Sequence, residues 1–454
     1  MKYMENKDYL YRDAPVSKAI ITLVVPTILS QLITVFYNMA DTFFIGQLND
    51  PDQVAAATLS MPIFVVLTGI ANLFGIGGAS LFSRSLGKND RKKAERCSSF
   101  AILTSAGVAL VYGIMIYFLA PVILPYMGCD EATFAYTRSY LFWTVTIGAI
   151  PTVLSAEIAH LIRAEGYSRE AGFGIAMGGI LNILFDPIFI FLLKLKIQGA
   201  AIATMAANLC ALIYYLHLIN KKQCSVNYKF QNYSVSDNIP KEVLLTGLPS
   251  CIMMCMSLVS NVCLNKLVSG YSNEAIAGMG IAKKIDMLVM AIANGMSQGV
   301  ISLIAYNYSA KNYKRMTSSI RMTVLYSFVL SFFAVLFLSL GAPLIMKFFI
   351  NDASTIAYGQ HFLKVICLSC PCVAVLMMII TIFQAVGKKM QPTFLSFLRK
   401  GALDVPFMFL MRKLAGSSGI PWATPISDTL AMLIAIILFY PFYKKSLKEI
   451  NYEQ

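Results

Sequence analysis

Asn38 and Asp41 stand three residues apart in ITVFYNMADTFFIGQ (33–47), a stretch otherwise dominated by Phe, Ile, Val, Met and Ala. On a helix the two share one face. A second carboxylate repeats the arrangement: NILFDP (182–187) places Asn182 and Asp186 four apart, with Pro187 directly after. Thr204 and Asn208, also four apart, add a hydroxyl and an amide. Carboxylates, amide oxygens and a hydroxyl together suit a proton or a hard cation such as sodium. Pro187 lacks a backbone donor and loosens its helix, freeing carbonyls for a cation or for water. For Thr204 and Asn208, hydrogen bonding between helices is an equal account.

The elements that must hold these groups are membrane spans. The 454 residues are 57% hydrophobic and 13% charged, too little charge to cover a soluble protein of this length. Apolar stretches of the length needed to cross a bilayer have approximate cores at 20–44, 54–80, 97–120, 139–160, 171–193 and 199–219. Six more follow at 243–269, 276–305, 322–346, 361–386, 392–411 and 420–443. The expected fold is an all-α polytopic membrane protein of twelve transmembrane helices. The first apolar segment follows a charged stretch and is too long for a signal-peptide core. An ionisable residue inside a span costs about 2.5–3.5 kcal/mol on insertion scales and normally faces a cavity or a partner. Asp41 and Asp186 are therefore the leading candidates for function.

The net charge of +14 is not spread evenly. With a cytoplasmic amino terminus, 25 of the 37 Lys and Arg fall on the inner side and 6 on the outer side. That asymmetry predicts cytoplasmic termini, with GKNDRKKAER (87–96) as an inner loop facing anionic headgroups. No aromatic or recognition module accompanies the charge, so nucleic acid is not an expected partner. Three histidines offer few ligands for metal catalysis, and no G-x-x-x-x-G-K-[ST] occurs. The ten cysteines lie mostly within spans, and Cys367 and Cys370 read as packing. No catalytic constellation and no cofactor are expected.

The two halves echo each other. Pro26 and Pro249, Asn38 and Asn261, and Lys88-Asn89 and Lys311-Asn312 are each 223 residues apart. Asp130 and Asp352 are 222 apart, Gly166 and Gly387 are 221 apart, and Ala203-Thr204 and Ala423-Thr424 are 220 apart. The offsets drift one way, as small loop deletions would make them. This predicts two six-helix lobes, residues 1–222 and 241–454, joined by a polar cytoplasmic linker at 223–240. Six spans per half make parallel repeats related by a pseudo-two-fold axis along the membrane normal. The second half does not copy the first cluster: Leu264 stands 223 beyond Asp41. Its polar groups are Lys283, Lys284 and Asp286, then Arg399, Lys400, Asp404 and Asp428. Lys–Asp pairs so close can neutralise one another, while Asp286 and Asp404 remain candidates for lining a substrate cavity.

Several stretches together resemble the multidrug and toxic compound extrusion (MATE) transporters, over nearly the whole chain. They are Pro26 and Gln31 leading to Asp41 and Gly46, NLFGIGGAS (72–80), RAEG (163–166), LNILFDPIFI (181–190), GAAIAT (199–204) and GIPWAT (419–424). The branch it looks most like is the bacterial DinF-like and MepA-like group of drug exporters. The resemblance implies export of cationic and amphipathic compounds in exchange for protons or sodium, by a monomer in the plasma membrane. It implies a coupling or sodium site at Asp41, Asn182, Asp186 and Thr204, with Pro26 as a hinge and Gln31 toward the substrate. Glu157 departs from the pattern, since many members carry Asn there; it can act on ion preference or substrate charge, or pair with Arg163 or His160. The rival reading is a lipid-linked oligosaccharide flippase of the same superfamily, using Lys283, Lys284, Arg399 and Lys400 in a basic cavity.

Overall fold

The computed structural model describes residues 9–222, 224–268, 270–271, 273–350 and 352–452. The first eight residues of the amino-terminal tail and Gln223 of the linker lie outside the described residues. The first half contains α1 (Val16–Gly46), α2 (Pro51–Gly87), α3 (Arg91–Tyr126), α4 (Glu131–Leu141), α5 (Ala149–Ala164), α6 (Ser168–Pro187) and α7 (Ile197–Lys222). The second contains α8 (Ile239–Val268), α9 (Asn273–Ser309), α10 (Tyr313–Phe349), α11 (Ala353–Cys367), α12 (Cys370–Ala385), α13 (Met390–Phe397), α14 (Val405–Gly419) and α15 (Ala423–Tyr452).

Among the described residues, nine helical runs are long and apolar enough to cross a membrane, and eleven when two bent pairs count as one span each. The bends are 50° between Glu131–Ile147 and α5, and 41° between α11 and α12. Pro371 lies in the first turn after the second bend, where it cannot continue the helix before it. The longest run, Met390–Ile450, has 61 residues and breaks at Ala415 and Gly416, so it supplies two spans. The total is twelve, as the hydrophobic pattern predicts. The protein is an all-α polytopic membrane protein of two six-helix lobes.

The repeat is visible in local structure. Asp130 accepts from the backbone N–H of Thr133 at 2.9 Å and caps α4, while Asp352 accepts from that of Thr355 at 2.7 Å and caps α11. Gly166 and Gly387 take φ of +99° and +76° just past α5 and α12, a conformation that glycine adopts without steric cost.

The chain forms two compact units, Leu29–Cys251 and Met1–Ile28 with Ile252–Gln454. These boundaries differ from a division at the linker. They fall inside α1 and α8, two residues beyond Pro26 and Pro249 respectively. The amino-terminal half of each repeat's first helix is therefore grouped with the other repeat. The physical reason lies in close backbone approaches. In the first unit, a Cβ on Gly77 would strike the Val243 carbonyl oxygen, and one on Gly247 the Leu73 carbonyl oxygen. In the second unit, one on Gly299 would lie 2.8 Å from Val24 Cα, and one on Gly295 2.6 Å from Ile28 Cα.

The linker is tied down. Glu165 accepts from the backbone N–H groups of Ser225 and Val226 at 2.7 and 3.4 Å, and Ser98 from that of Asn227 at 2.9 Å. Arg84 pairs with Glu242 at 3.0 Å. Polarity alone predicts a tether; the backbone bonds make it a docked strap.

Candidate functional site

Helix α6 ends at Pro187 and passes into a π-helical turn, Ile188–Leu192. Proline cannot donate to the Ile183 carbonyl, and π turns gather at functional sites. Asp186 sits at this joint, fully buried, and neither carboxylate oxygen has a hydrogen-bond partner among the described residues. One turn earlier, Asn182 is 2% exposed and donates from Nδ2 to Thr204 Oγ1 at 3.2 Å. Its Oδ1 is buried without a partner, as is Asp41 Oδ1 on α1. Asp41 and Asp186 lie within electrostatic range of each other, and Tyr140 feels both.

The sequence-predicted group therefore comes together as Asp41, Asn182, Asp186 and Thr204. Asn208 donates to Thr152 Oγ1 at 3.0 Å, a bond between α7 and α5. Asn38 is exposed, although its spacing places it on the Asp41 face. Three residues advance a helix by about 300°, so the two are offset by some 60°, and Asn38 stands on the more exposed side of the half-buried Asp41. Gln31 is half-buried on α1.

Small residues bring the helices close enough for this. The Tyr215 ring fills the space over Gly174, and Gly178 faces Ala207 and Ala211 of α7. Gly179 meets Ile33 and Tyr37 of α1. Gly174 and Gly178 of GFGIAMGG (172–179) thus give small-xxx-small packing between helices.

Glu157 is completely buried and accepts from Ser105 Oγ of α3, with Oε1 unpartnered. Among the described residues the partner recorded for Glu157 is Ser105 of α3, while Arg163 and His160 contact each other at 3.3 Å.

The second unit holds a different arrangement, which residue spacing only hinted at. Another π turn, Leu398–Asp404, carries Arg399, Lys400 and Asp404, all buried. Asp404 accepts from Ser260 at 2.6 Å, Lys400 at 2.9 Å and Ser427 at 3.2 Å. Arg399 Nε donates to Asp428 Oδ1 at 2.7 Å, and Lys283 pairs with Asp286 at 3.9 Å. Three cations face three carboxylates, a neutral network. Asp404 is fully closed within it, whereas the Asp286 side chain keeps 15% of its exposure. Lys284 is exposed, and Leu264, the repeat equivalent of Asp41, lies in the apolar core. Among the described residues no three His, Cys, Asp or Glu gather as a metal site.

The MatE family model matches residues 26–188 and again 249–410. The chain belongs to the MatE family. The two matched segments begin at the repeat prolines, Pro26 and Pro249. MatE proteins are transporters rather than enzymes, and this chain is a multi-pass membrane protein of that kind. It is 28% identical to the multidrug export protein MepA of Staphylococcus saprophyticus, over 95% of each chain. The same identity and coverage hold for MepA of Staphylococcus aureus. Among solved structures it resembles a multidrug resistance MATE family transporter in an outward-facing conformation, with TM-score 0.89, 23% identity and coverage of 97% and 98%. A MATE structure in a bent conformation fits at TM-score 0.87 with 23% identity and the same coverage. Both likenesses concern the MatE fold.

Proposed function

We propose that the protein is a secondary antiporter exporting cationic, amphipathic small molecules in exchange for a proton or a sodium ion. The observation carrying this reading is the set of four unpartnered buried oxygens on Asp41, Asn182 and Asp186. A buried polar atom without a partner is costly, and a cation or proton satisfies carboxylate and amide oxygens together. Thr204 supplies a fixed hydroxyl beside them. The MepA relatives are multidrug export proteins, which supports export as the direction and drugs as the cargo.

In the proposed cycle one ion binds between Asp41 and Asp186 and removes one unit of their negative charge. That change lets α1 repack about Pro26, which disfavours bound drug. One elementary charge moving through 100 mV supplies about 2.3 kcal/mol, enough for a concentration ratio of about fifty. The protein works as a monomer in the plasma membrane with both termini in the cytoplasm. Asp286 is the better placed of the two second-unit candidates to meet substrate, since Asp404 is closed off.

A flippase needs a basic cavity, but of its four candidate cations Lys283, Arg399 and Lys400 are each matched by a carboxylate, and Lys284 is exposed. The network favours export. Expression in a drug-sensitive bacterium should lower accumulation of a fluorescent lipophilic cation, and an uncoupler should restore it. Unchanged accumulation across a panel of cationic dyes, with the protein verified in the membrane, would defeat the proposal.

A further inference from the structure

The linker strap carries two apolar side chains that a cytosolic tether would not expose: Phe230 at 80% and Val235 at 63%. Phe230 stacks on Tyr233 at 5.9 Å between centroids, and Tyr233 Oη lies 3.5 Å from Thr104 Oγ1 of α3. Together they close one end of a groove of about 690 Å³ whose long wall includes Leu103, Val108, Val111 and Met115. That wall lies on a membrane-spanning helix, so hydrocarbon must face it. From residue 103 to 115 the helix rises about 18 Å, close to half of a hydrocarbon core of about 30 Å. The groove is one leaflet long.

Beyond the Thr104 end of the groove, the start of α3 carries Arg91, Lys92, Lys93 and Arg96 with Glu95, and the strap carries Lys229 with Asp237, five cations to two carboxylates. Arg96 reaches Asp237 at 3.4 Å with 46% of its side chain still exposed. The second unit repeats the feature by itself. A groove of about 350 Å³ on α10 is lined by Val324, Leu325 and Phe328, with Phe439 and Tyr443 beside it and Arg321 in its wall. Both grooves lie on corresponding helices and each includes a Phe–Tyr pair, although only the α10 groove has a basic side chain, Arg321, in its own lining.

We propose that the α3 groove is a binding site for one anionic phospholipid of the inner leaflet. Its acyl chain lies along α3, its headgroup meets Arg96 and Lys229, and Phe230 inserts as an interfacial anchor. Apolar length selects a lipid, and the excess positive charge selects an anionic one. Because the strap continues into α8, bound lipid holds the start of that helix against the first unit.

The test uses the full-length protein in liposomes. The chain has two tryptophans, Trp143 and Trp422; with both replaced by Phe, Phe230→Trp becomes the single reporter. Brominated phosphatidylglycerol should quench it at least about twofold more than brominated phosphatidylcholine, while aqueous iodide should quench little. Adding Lys229→Gln and Arg96→Gln should erase the difference between the lipids. Strong iodide quenching would show the strap in water and overturn the proposal. Equal quenching by both lipids would overturn the anionic site, and relief of quenching by a lipophilic cation would make the groove a drug portal instead. If Phe230→Trp does not fold, Val235→Trp on the same strap gives the same readings.

Discussion

Asn182 gives its amide hydrogen to Thr204 Oγ1 at 3.2 Å, and the same side chain keeps its carbonyl oxygen buried and unpaired one turn from Asp186. The bond orients the amide, so that an acceptor rather than a donor is left near the carboxylates. Thr204→Val keeps the shape but removes the acceptor, freeing Asn182 to rotate. The expected cost is about 1 kcal/mol of stability, with ion-driven export reduced several-fold. Serine at the same position should restore most of it. Transport by the purified variants in liposomes checks this, and unaltered export by the valine variant would mean the bond is incidental.

The second-unit network makes a stability prediction. Removing one member of a buried pair leaves a charge without its partner, at about 3–5 kcal/mol. Lys400→Met alone should therefore lower the melting temperature markedly, whereas Lys400→Met combined with Asp404→Leu should recover much of the loss. Thermal unfolding in detergent, followed by intrinsic fluorescence, reads both. A double variant no better than the single would show that Ser260 and Ser427 hold Asp404 independently of the lysine.

Much of this plan was legible in the sequence because hydrophobic length, charge asymmetry and repeat offsets are one-dimensional. Asp41 and Asp186 stand out in the sequence because a carboxylate in an apolar helix is costly, and Asn182 and Thr204 join them through the resemblance. Asn38 is more exposed than Asp41, because a spacing of three fixes a face only to within about 60°. The exchange of the amino-terminal half-helices that end two residues past Pro26 and Pro249 is not legible, since the prolines repeat but which unit each half joins depends on Gly77, Gly247, Gly295 and Gly299. Glu157 was visible as an acid but not its Ser105 partner, which lies on a different helix.

The glycine contact between α2 and α8 also predicts. Gly247→Ala pushes a methyl into the Leu73 carbonyl, with no flexible side chain to yield. Overpacking of this kind costs about 1–3 kcal/mol. Gly280→Ala, where nothing lies within 4 Å, should be neutral or slightly stabilising. Melting temperatures of the two should move in different directions; equal shifts would dismiss the crossing as a tight contact.

Acid should loosen the paired caps. The hydrogen bonds from Thr133 and Thr355 hold the Asp130 and Asp352 carboxyls below the ordinary value of 3.8. A depressed folded value contributes stability above 3.8 that is lost as pH falls through the lower folded value. Helix content measured from neutral pH downward should therefore decline below about pH 4, and less steeply in a variant carrying Asp130→Asn and Asp352→Asn. Identical acid limbs would remove the caps from the account.

The central claim is that the ion couples at the first unit's carboxylates. Asp41→Asn and Asp186→Asn keep shape and hydrogen-bonding capacity but remove the titratable charge, while Asp428→Asn alters only the second-unit network. The direct measurement is drug export by each folded, purified variant in proteoliposomes, under a proton gradient and a sodium gradient imposed separately. The account predicts that gradient-driven export disappears in the Asp41 and Asp186 variants and persists in the Asp428 variant. Full coupling in Asp41→Asn, or its loss only in Asp428→Asn, would contradict it.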